Sequence, residues 1–375
     1  MTTELALCIA AVDVGGLAAG AWLCLRGARG SSRDLARLAL LGAVLLPLGF
    51  ALGLTVLHNG FAVLRLWCHA LFCVLTPVAM ARGLQRRGAF GLALAATGLL
   101  AEGAYLFARH VEPYRLEVTH HDFTSERLAG LARPLRVAVL ADLQTDALGP
   151  FEERVFAALD AERADLVLIP GDLLQLANDG SVEYHERQRD LLKNLFTGLR
   201  HRPRLGFVMV GGDCEPFGVG IEDTVVQLLE NETLAFPEDH LQVIGLTRAS
   251  SRRPVSPELA AAARDFPGLT IVMGHAPEFA LSSPDIGVPV LCIAGHTHGG
   301  QVQLPFFGPP FTLSAVPRAY AAGGLHRLGD GDGAPWLCVS RGIGMERGHA
   351  PRIRFLCRPE LVVFDLDAPA VHGSL

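Results

Sequence analysis

A basic surplus is missing from this chain. Its 32 Lys and Arg face 38 Asp and Glu, a formal net charge of −6, so no nucleic-acid-binding surface is expected. C-x-x-C spacings are missing too. Of the eight cysteines, Cys8, Cys24, Cys68 and Cys73 lie in an apolar part, and Cys214, Cys292, Cys338 and Cys357 lie beyond it. That spacing argues for neither a zinc knuckle nor a disulfide framework. There is no solenoid-type repeat. Before about residue 110, charge itself is scarce, and apolar runs there reach ~20 residues, enough to cross a bilayer. They account for a mean hydropathy of +0.33 and a hydrophobic content of 50%. The rest has ordinary globular composition over roughly 260 residues, ample for a core.

Four apolar segments stand out, at about 5–25, 36–57, 61–81 and 89–108. The first lacks the basic n-region of a signal peptide and lies too near the start for one. "LARLALLGAVLLPLGFALGLTVL" and "AFGLALAATGLLAEGAYLFA" are the clearest spans. The third carries Arg65, His69 and Pro77, and either a span or a hairpin that only dips into the bilayer fits it. Arg26, Arg29, Arg33 and Arg37 fill the first connection; Arg82, Arg86 and Arg87 fill the third; the second, "HNGF", is nearly neutral. The positive-inside rule puts the first and third in the cytoplasm, although Arg109 and Arg115 pull weakly the other way. The expectation is a multi-pass region over 1–110, in a bacterial inner or plasma membrane, and an extracytoplasmic domain over 111–375. Asp13 and Glu102 are ionisable groups within spans, hence functional candidates; the plainer expectation is that each faces another helix or a headgroup.

From about residue 134 the periodicity changes. "LRVAVLADL", "DLVLIPGDLL", "LGFVMVGGDCEP", "LTIVMGHAPE" and "VPVLCIAGHTHGG" read as buried strands with polar tails; "APWLCVSRGIG" and "RFLCRPELVVFDL" read as further strands. "FEERVFAALDAERA" and "YHERQRDLLKNLFTGLR" have helical spacing. The pattern predicts stacked mixed sheets with flanking helices. Each of the five polar tails holds metal-ligand residue types: Asp142 and Gln144, Asp172, Asp213 and Glu215, His275, and His296 with His298. One Asp after a strand is usually a turn former or helix cap, and a lone His is usually a satisfied surface or core residue. Five such ends in one domain point to one shared site at the carboxyl edges of the strands.

In order, D-L-Q, G-D, G-D-C-E, G-H-A-P and G-H-T-H-G-G-Q resemble the motifs of the calcineurin-like metallophosphoesterase superfamily. The stretch over about 116–368 is similar to its membrane-linked bacterial branch. "LEVTHHDF" before the first strand, "GGQVQLPFFGPPFTLSAVPRAYAAG" and "SRGIG…RIRFLCRPEL" add to the likeness. The resemblance implies a four-layer α/β/β/α sandwich, here preceded by an α-helical transmembrane region. It also implies two divalent metal ions (Mn, Fe, Zn or Mg). By that resemblance Asp142 and His298 bind the first ion, with Gln144 where a histidine is usual. Asp172 bridges both ions. Asp213, where an asparagine is usual, binds the second with His275 and His296. Cys214 stands where a histidine usually contacts phosphate and protonates the leaving group. Two such ions ~3.5–4 Å apart clamp a phosphoryl group and activate a hydroxide, which makes Asp172, Asp213 and Cys214 the catalytic candidates. Gln144 and Asp213 shift the donor set toward oxygen and so toward harder ions such as Mn or Mg. A thiol at Cys214 is a poor substitute for an imidazole acid near neutral pH. Gly212 keeps the tight turn. Glu346 and His349, in "GMERGHAP", either lean over the site or lie on a surface loop.

The leading expectation is therefore a membrane-anchored phosphoesterase acting on a lipid-linked, envelope or nucleotide phosphodiester. A metal- and phosphate-binding sensor that has lost turnover is the alternative. A membrane transport or scaffold protein is a third reading, and it leaves the strand-end ligands unexplained.

Overall fold

The computed structural model describes residues 3–25, 31–86, 88–176, 180–214, 225–331 and 333–369. Arg26, Arg29, Arg87 and Glu215 lie outside the described residues. The chain forms two compact units. One is Met1–Val111 with Glu346–Ile353; the other is Glu112–Met345 with Arg354–Leu375. Glu346 and His349 thus belong to the first unit, not to the one that carries the strand-end residues.

The first unit is helical: α1 (Thr3–Leu25), α2 (Ser31–Ala51), α3 (Gly60–Cys68), α4 (Thr76–Gln85) and α5 (Ala89–His110). Four helical stretches are long and apolar enough to cross a membrane, at Thr3–Gly20, Leu35–Val56, Gly60–Gln85 and Ala89–Tyr114. The third runs unbroken despite Pro77. Its backbone passes from α3 to α4 through a π-helical turn, His69–Leu75, and Pro77 falls in the first turn of α4. The widened turn absorbs the hydrogen bond that proline cannot donate. Inside the bundle, His69 Nε2 lies 2.6 Å from Asp13 Oδ1, so Asp13 faces another helix. Glu102 Oε2 is buried and has no hydrogen-bond partner among the described residues. Arg65 donates to the carbonyl of Gly348 at 3.2 Å.

The second unit runs β1 (Glu117–Thr124), β2 (Leu135–Val139), α6 (Pro150–Glu162), β3 (Leu166–Ile169), α7 (Val182–Thr197), β4 (Phe207–Met209), β5 (Gln227–Leu228), β6 (Glu232–Phe236), β7 (Leu241–Gly245), α8 (Arg248–Ser251), α9 (Pro257–Asp265), β8 (Leu269–Met273), β9 (Val290–Ala294), α10 (Arg318–Ala321), β10 (Gly324–Arg327), β11 (Trp336–Val339) and β12 (Glu360–Asp367). These strands make two six-stranded sheets, ordered β1-β12-β2-β3-β4-β5 and β10-β11-β9-β8-β7-β6. Strands β2 to β5 are parallel, as are β7, β8, β9 and β11, while β12, β6 and β10 pair antiparallel to their neighbours β2, β7 and β11. "LVLI", "LTIVM" and "VLCIA" are buried at every position, which is why they are continuous apolar runs.

Packing gives the layers. Val137, Val139, Leu168 and Val208 of the first sheet meet Val243, Ile271, Met273 and Ile293 of the second in a shared core. On the first sheet's other face, Ala138, Val167 and Met209 pack on Phe156 of α6 and Phe196 of α7. On the second sheet's other face, Ile244, Val272 and Cys292 pack on Ala260 and Ala263 of α9 and on Phe279. Helices, sheet, sheet and helices follow in turn, as the mixed-sheet pattern predicts.

Three stretches differ from expectation. "LEVTHHDF" is not a lead-in but mostly strand β1, an edge strand paired in parallel with β12 over its whole length. Residues 225–236 contain β5 and β6, whose short, half-exposed strands lack the apolar runs that mark the others. In "RFLCRPELVVFDL" only Glu360–Asp367 is strand. The Arg354 side chain explains the rest. It is fully buried and donates to the carbonyls of Arg341, Gly342, Gly344 and Cys357. Satisfying a buried guanidinium needs several carbonyls turned inward, which a ladder cannot provide. Arg354→Met is expected to lower unfolding stability by about 3 kcal/mol or more, because it strands those carbonyls. Denaturant unfolding of the detergent-solubilised chain checks this; an unchanged midpoint refutes it.

Candidate metal centre

The ligand-type residues occupy the turns that leave β2, β3, β4, β8 and β9. Asp142, Gln144, Asp172, His296 and His298 all hold left-handed backbone, with φ of 46°, 34°, 55°, 69° and 49°. Such conformations cost about 1–3 kcal/mol each in non-glycine residues and persist where surrounding structure enforces them. Here that structure is visible. The amide of Gln144 donates to the Asp172 carbonyl at 2.8 Å, and that of Gly344 to the Asp142 carbonyl at 2.7 Å. The His296 amide donates to both carboxylate oxygens of Asp142, at 2.9 and 3.0 Å. The Cys214 amide donates to Asp172 Oδ1 at 2.9 Å. One turn's backbone therefore aims the next turn's side chain. Glycine is required at two points of closest approach. A Cβ at Gly212 would lie 2.1 Å from Asp172 Oδ1, and one at Gly295 would lie 2.3 Å from Asp142 Oδ2.

Two groups of side chains come within ligating reach of a common point: Asp213, His275 and His296, and Asp142, Asp172 and His275. Within the second group, His275 Nδ1 lies 3.9 Å from Asp142 Oδ1. That nitrogen instead hydrogen-bonds the Pro170 carbonyl at 2.8 Å, which makes it the protonated nitrogen and leaves Nε2 as the donor to a cation. His275 Nε2 is buried, has no hydrogen-bond partner among the described residues, and lies 3.4 Å from Asp172 Oδ2 and 3.6 Å from Asp213 Oδ2. His296 Nδ1 is 3.1 Å from the same Asp213 oxygen. Asp172, Asp213, His275 and His296 thus form one set. On the other side, Asp142 and His298 both border Gly342, whose Cβ would lie 2.9 Å from Asp142 Cβ and 3.3 Å from His298 Nδ1. An orphaned imidazole nitrogen aimed between two carboxylates, with only oxygen and imidazole donors around it, suits divalent cations.

Gln144 and Cys214 touch each other. Gln144 Nε2 donates to Cys214 Sγ at 3.2 Å and to Gln175 Oε1 at 3.1 Å. With its nitrogen committed there, a ligand role falls to Oε1. The departures at Gln144 and Cys214, two of the three from the superfamily pattern, are thus in contact.

Sequence reasoning missed two arginines of α8 and its cap. Arg252 Nη2 lies 2.7 Å from Asp213 Oδ2 and 3.4 Å from His296 Nε2, and Arg248 Nη1 lies 3.5 Å from Asp213 Oδ1. Their only signal was basic residues in "TRASSRRP", in a turn following a strand, β7, that carries no ligand of its own.

The field of the site is strong. For His275, burial disfavours charge, but the carboxylates of Asp172, Asp213 and Asp142 outweigh it and raise its pKa to about 10. Burial is also the largest influence on Asp213, yet His275 and His296 hold its carboxyl far below the usual range. Burial, and then the Asp172 charge, push Asp142 upward. Burial, with Arg354 beside it, keeps His298 well below the usual imidazole value, so its ring is neutral.

No protein-family profile matches the chain. It is 28% identical over 305 residues to the uncharacterized metallophosphoesterase YkuE of Bacillus subtilis, covering 77% of this chain and 98% of that protein. It is 26% identical over 295 residues to the phosphodiesterase YaeI of Escherichia coli, covering 75% and 98%. The names of these relatives agree with the resemblance of the motifs to the calcineurin-like metallophosphoesterase superfamily. Among solved structures, a dimetal phosphatase from Danio rerio aligns with 63% of this chain and 93% of its own, at 10% identity and a TM-score of 0.38.

The raised His275 makes metal uptake pH-dependent. A ring protonated below about 10 must lose its proton before Nε2 can ligate, so apparent affinity for Mn²⁺ should rise with pH up to that value, approaching tenfold per unit. In the metal-free protein, the stability that this proton confers is complete below pH 6.5, the ring's ordinary value, and lost as pH rises toward 10. Calorimetry in buffers of different ionisation enthalpy should show net proton release on Mn²⁺ binding. A pH-independent affinity between pH 6 and 9 would contradict this.

Proposed function

We propose that this chain is a membrane-anchored, metal-dependent phosphoric ester hydrolase that uses two divalent ions. The observation that carries the proposal is the buried His275 Nε2, without a hydrogen-bond partner among the described residues and flanked by Asp172, Asp213 and His296. The relatives' names, metallophosphoesterase and phosphodiesterase, supply the reaction class. When bound, two such ions supply Lewis-acid charge against the phosphoryl oxygens and acidify an attacking water. The chain's own residues divide the remaining work. Asp142, His298 and Gln144 would hold the first cation, Asp213, His275 and His296 the second, and Asp172 would serve both. The oxygen-rich set favours Mn or Mg.

Arg252 and Arg248, paired with Asp213, stand at the mouth of the second set and hold non-bridging phosphoryl oxygens. They offer the positive charge that the histidine position, filled by Cys214, no longer supplies. No imidazole at Cys214 donates a proton, so the enzyme prefers esters whose leaving groups depart as stable anions. Four apolar helices and the arginine-rich first and third connections support an anchor that leaves 111–375 outside the cytoplasm. Lipid-linked, envelope or nucleotide phosphodiesters suit that address. The Gln144–Cys214 contact favours one second reading, a phosphate-binding sensor without turnover.

Purified protein with Mn²⁺ is expected to hydrolyse bis-(p-nitrophenyl) phosphate, and Asp172→Ala to abolish both activity and metal binding. Folded, metal-replete protein that binds phosphate but turns nothing over would instead establish the sensor. Cys214→His should raise turnover of an alkyl ester by roughly 10²-fold while changing the nitrophenyl ester little. Arg252→Ala should raise KM and weaken inorganic phosphate binding about tenfold with metal content unchanged. Equal phosphate affinity in variant and parent would remove Arg252 from that role.

A further inference from the structure

Directly after His298 the chain builds a loop that places apolar side chains in water. Within ten residues, Leu304, Phe306, Phe307, Phe311 and Leu313 are all exposed. Phe306 is as exposed as an isolated residue, at 111%. It sits at the tip of a tight turn closed by the Leu304–Gly308 bridge, with φ of 64°. A bulky residue in left-handed backbone is a steric outlier, so here a strained turn presents an aromatic ring outward. The loop's root is firmly held. The Gln303 amide donates to the Phe355 carbonyl at 2.8 Å and the Phe355 amide to the Gln301 carbonyl at 2.9 Å. Ser314 Oγ and the Ala315 amide both donate to Glu278 Oε1. Arg318 lies over the Phe307 ring, 4.3 Å from its centroid. Three phenylalanines and two leucines on one rooted loop, with Arg318 of α10 stacked on it, match the interfacial zone of a bilayer, where rings sit at headgroup depth and cations meet phosphates.

We infer that loop 304–313 docks into the bilayer interface and holds the metal centre at the membrane surface. The occupant is argued from the chain itself. It carries four helices apolar enough to span a membrane, and only residues 111–116 separate α5 from β1. A bilayer that holds α5 is therefore within a short tether of this unit. The inference rests on the membrane-anchor reading and not on catalysis.

The test uses the full chain in nanodiscs of 7:3 phosphatidylethanolamine and phosphatidylglycerol, with and without a brominated phosphatidylcholine. Phe306→Trp adds one reporter, Val182→Trp serves as an exposed control, and the parent's emission is subtracted. Bromolipid is expected to quench the reporter at 306 by at least twofold and the control by little. Retained hydrolysis of bis-(p-nitrophenyl) phosphate by F306W shows that the fold is intact; should the parent itself lack turnover, matching melting curves serve instead. Incorporation with equal quenching at 306 and 182 overturns the inference alone, as does a reporter at 306 shielded only by a second copy of the chain. Failure to incorporate into the bilayer removes the anchor reading and the inference together. Quenching without turnover leaves the inference standing and removes only the enzyme reading.

Discussion

Asp142, Asp172 and Asp213 bring three carboxylates around one buried imidazole, His275, and everything at this rim answers to the resulting negative charge. Carboxylates are costly to bury unless paired. The backbone meets part of the demand, with amides of His296 and Cys214 turned onto Asp142 and Asp172. His275 and the Arg252 guanidinium meet another part. Divalent cations would meet it more fully, since imidazole nitrogens and carboxylate oxygens already converge there. The strained turns and the glycines at 212 and 295 follow from the same demand, because the donor atoms must approach closely.

Gln144 and Cys214 are better understood together than apart. Each replaces a histidine expected from the superfamily pattern, and each touches the other. Two neutral groups that bond one another need no outside charge to be satisfied. Losing an imidazole here removes a proton donor, and the arginines of the α8 turn bring cationic charge to the neighbouring Asp213. Under the proposed function, the chemistry is electrostatic binding of phosphate with weak leaving-group protonation.

The helical unit and the exposed aromatic loop bear on the proposed membrane address. Polar groups within apolar helices tend to find partners, and Asp13 with His69 follows that tendency. The loop at 304–313 follows a different logic. Apolar surface exposed on a well-anchored turn is unfavourable in water and favourable at a lipid interface.

The primary structure alone determined the apolar helices, the identity of the buried strands and the residue types at five strand ends. Hydrophobic runs and periodicity depend on local composition, and strands buried on both faces announce themselves by continuous apolar stretches. Edge strand β1 and the short pair β5 and β6 were not legible, because half-exposed strands lack that signature. The placement of "AGHTHGG" among metal-ligand types was legible; which nitrogen of His275 faces a cation was not. That choice depends on the Pro170 carbonyl, 105 residues earlier in the chain. Arg252, Arg248 and Arg354 were silent in the sequence for the same reason. A guanidinium acquires its role from the acceptors that folding brings to it, and those acceptors come from turns distant in sequence. Tertiary structure decided which charges meet, because electrostatic and hydrogen-bond energies depend on distances that only packing sets.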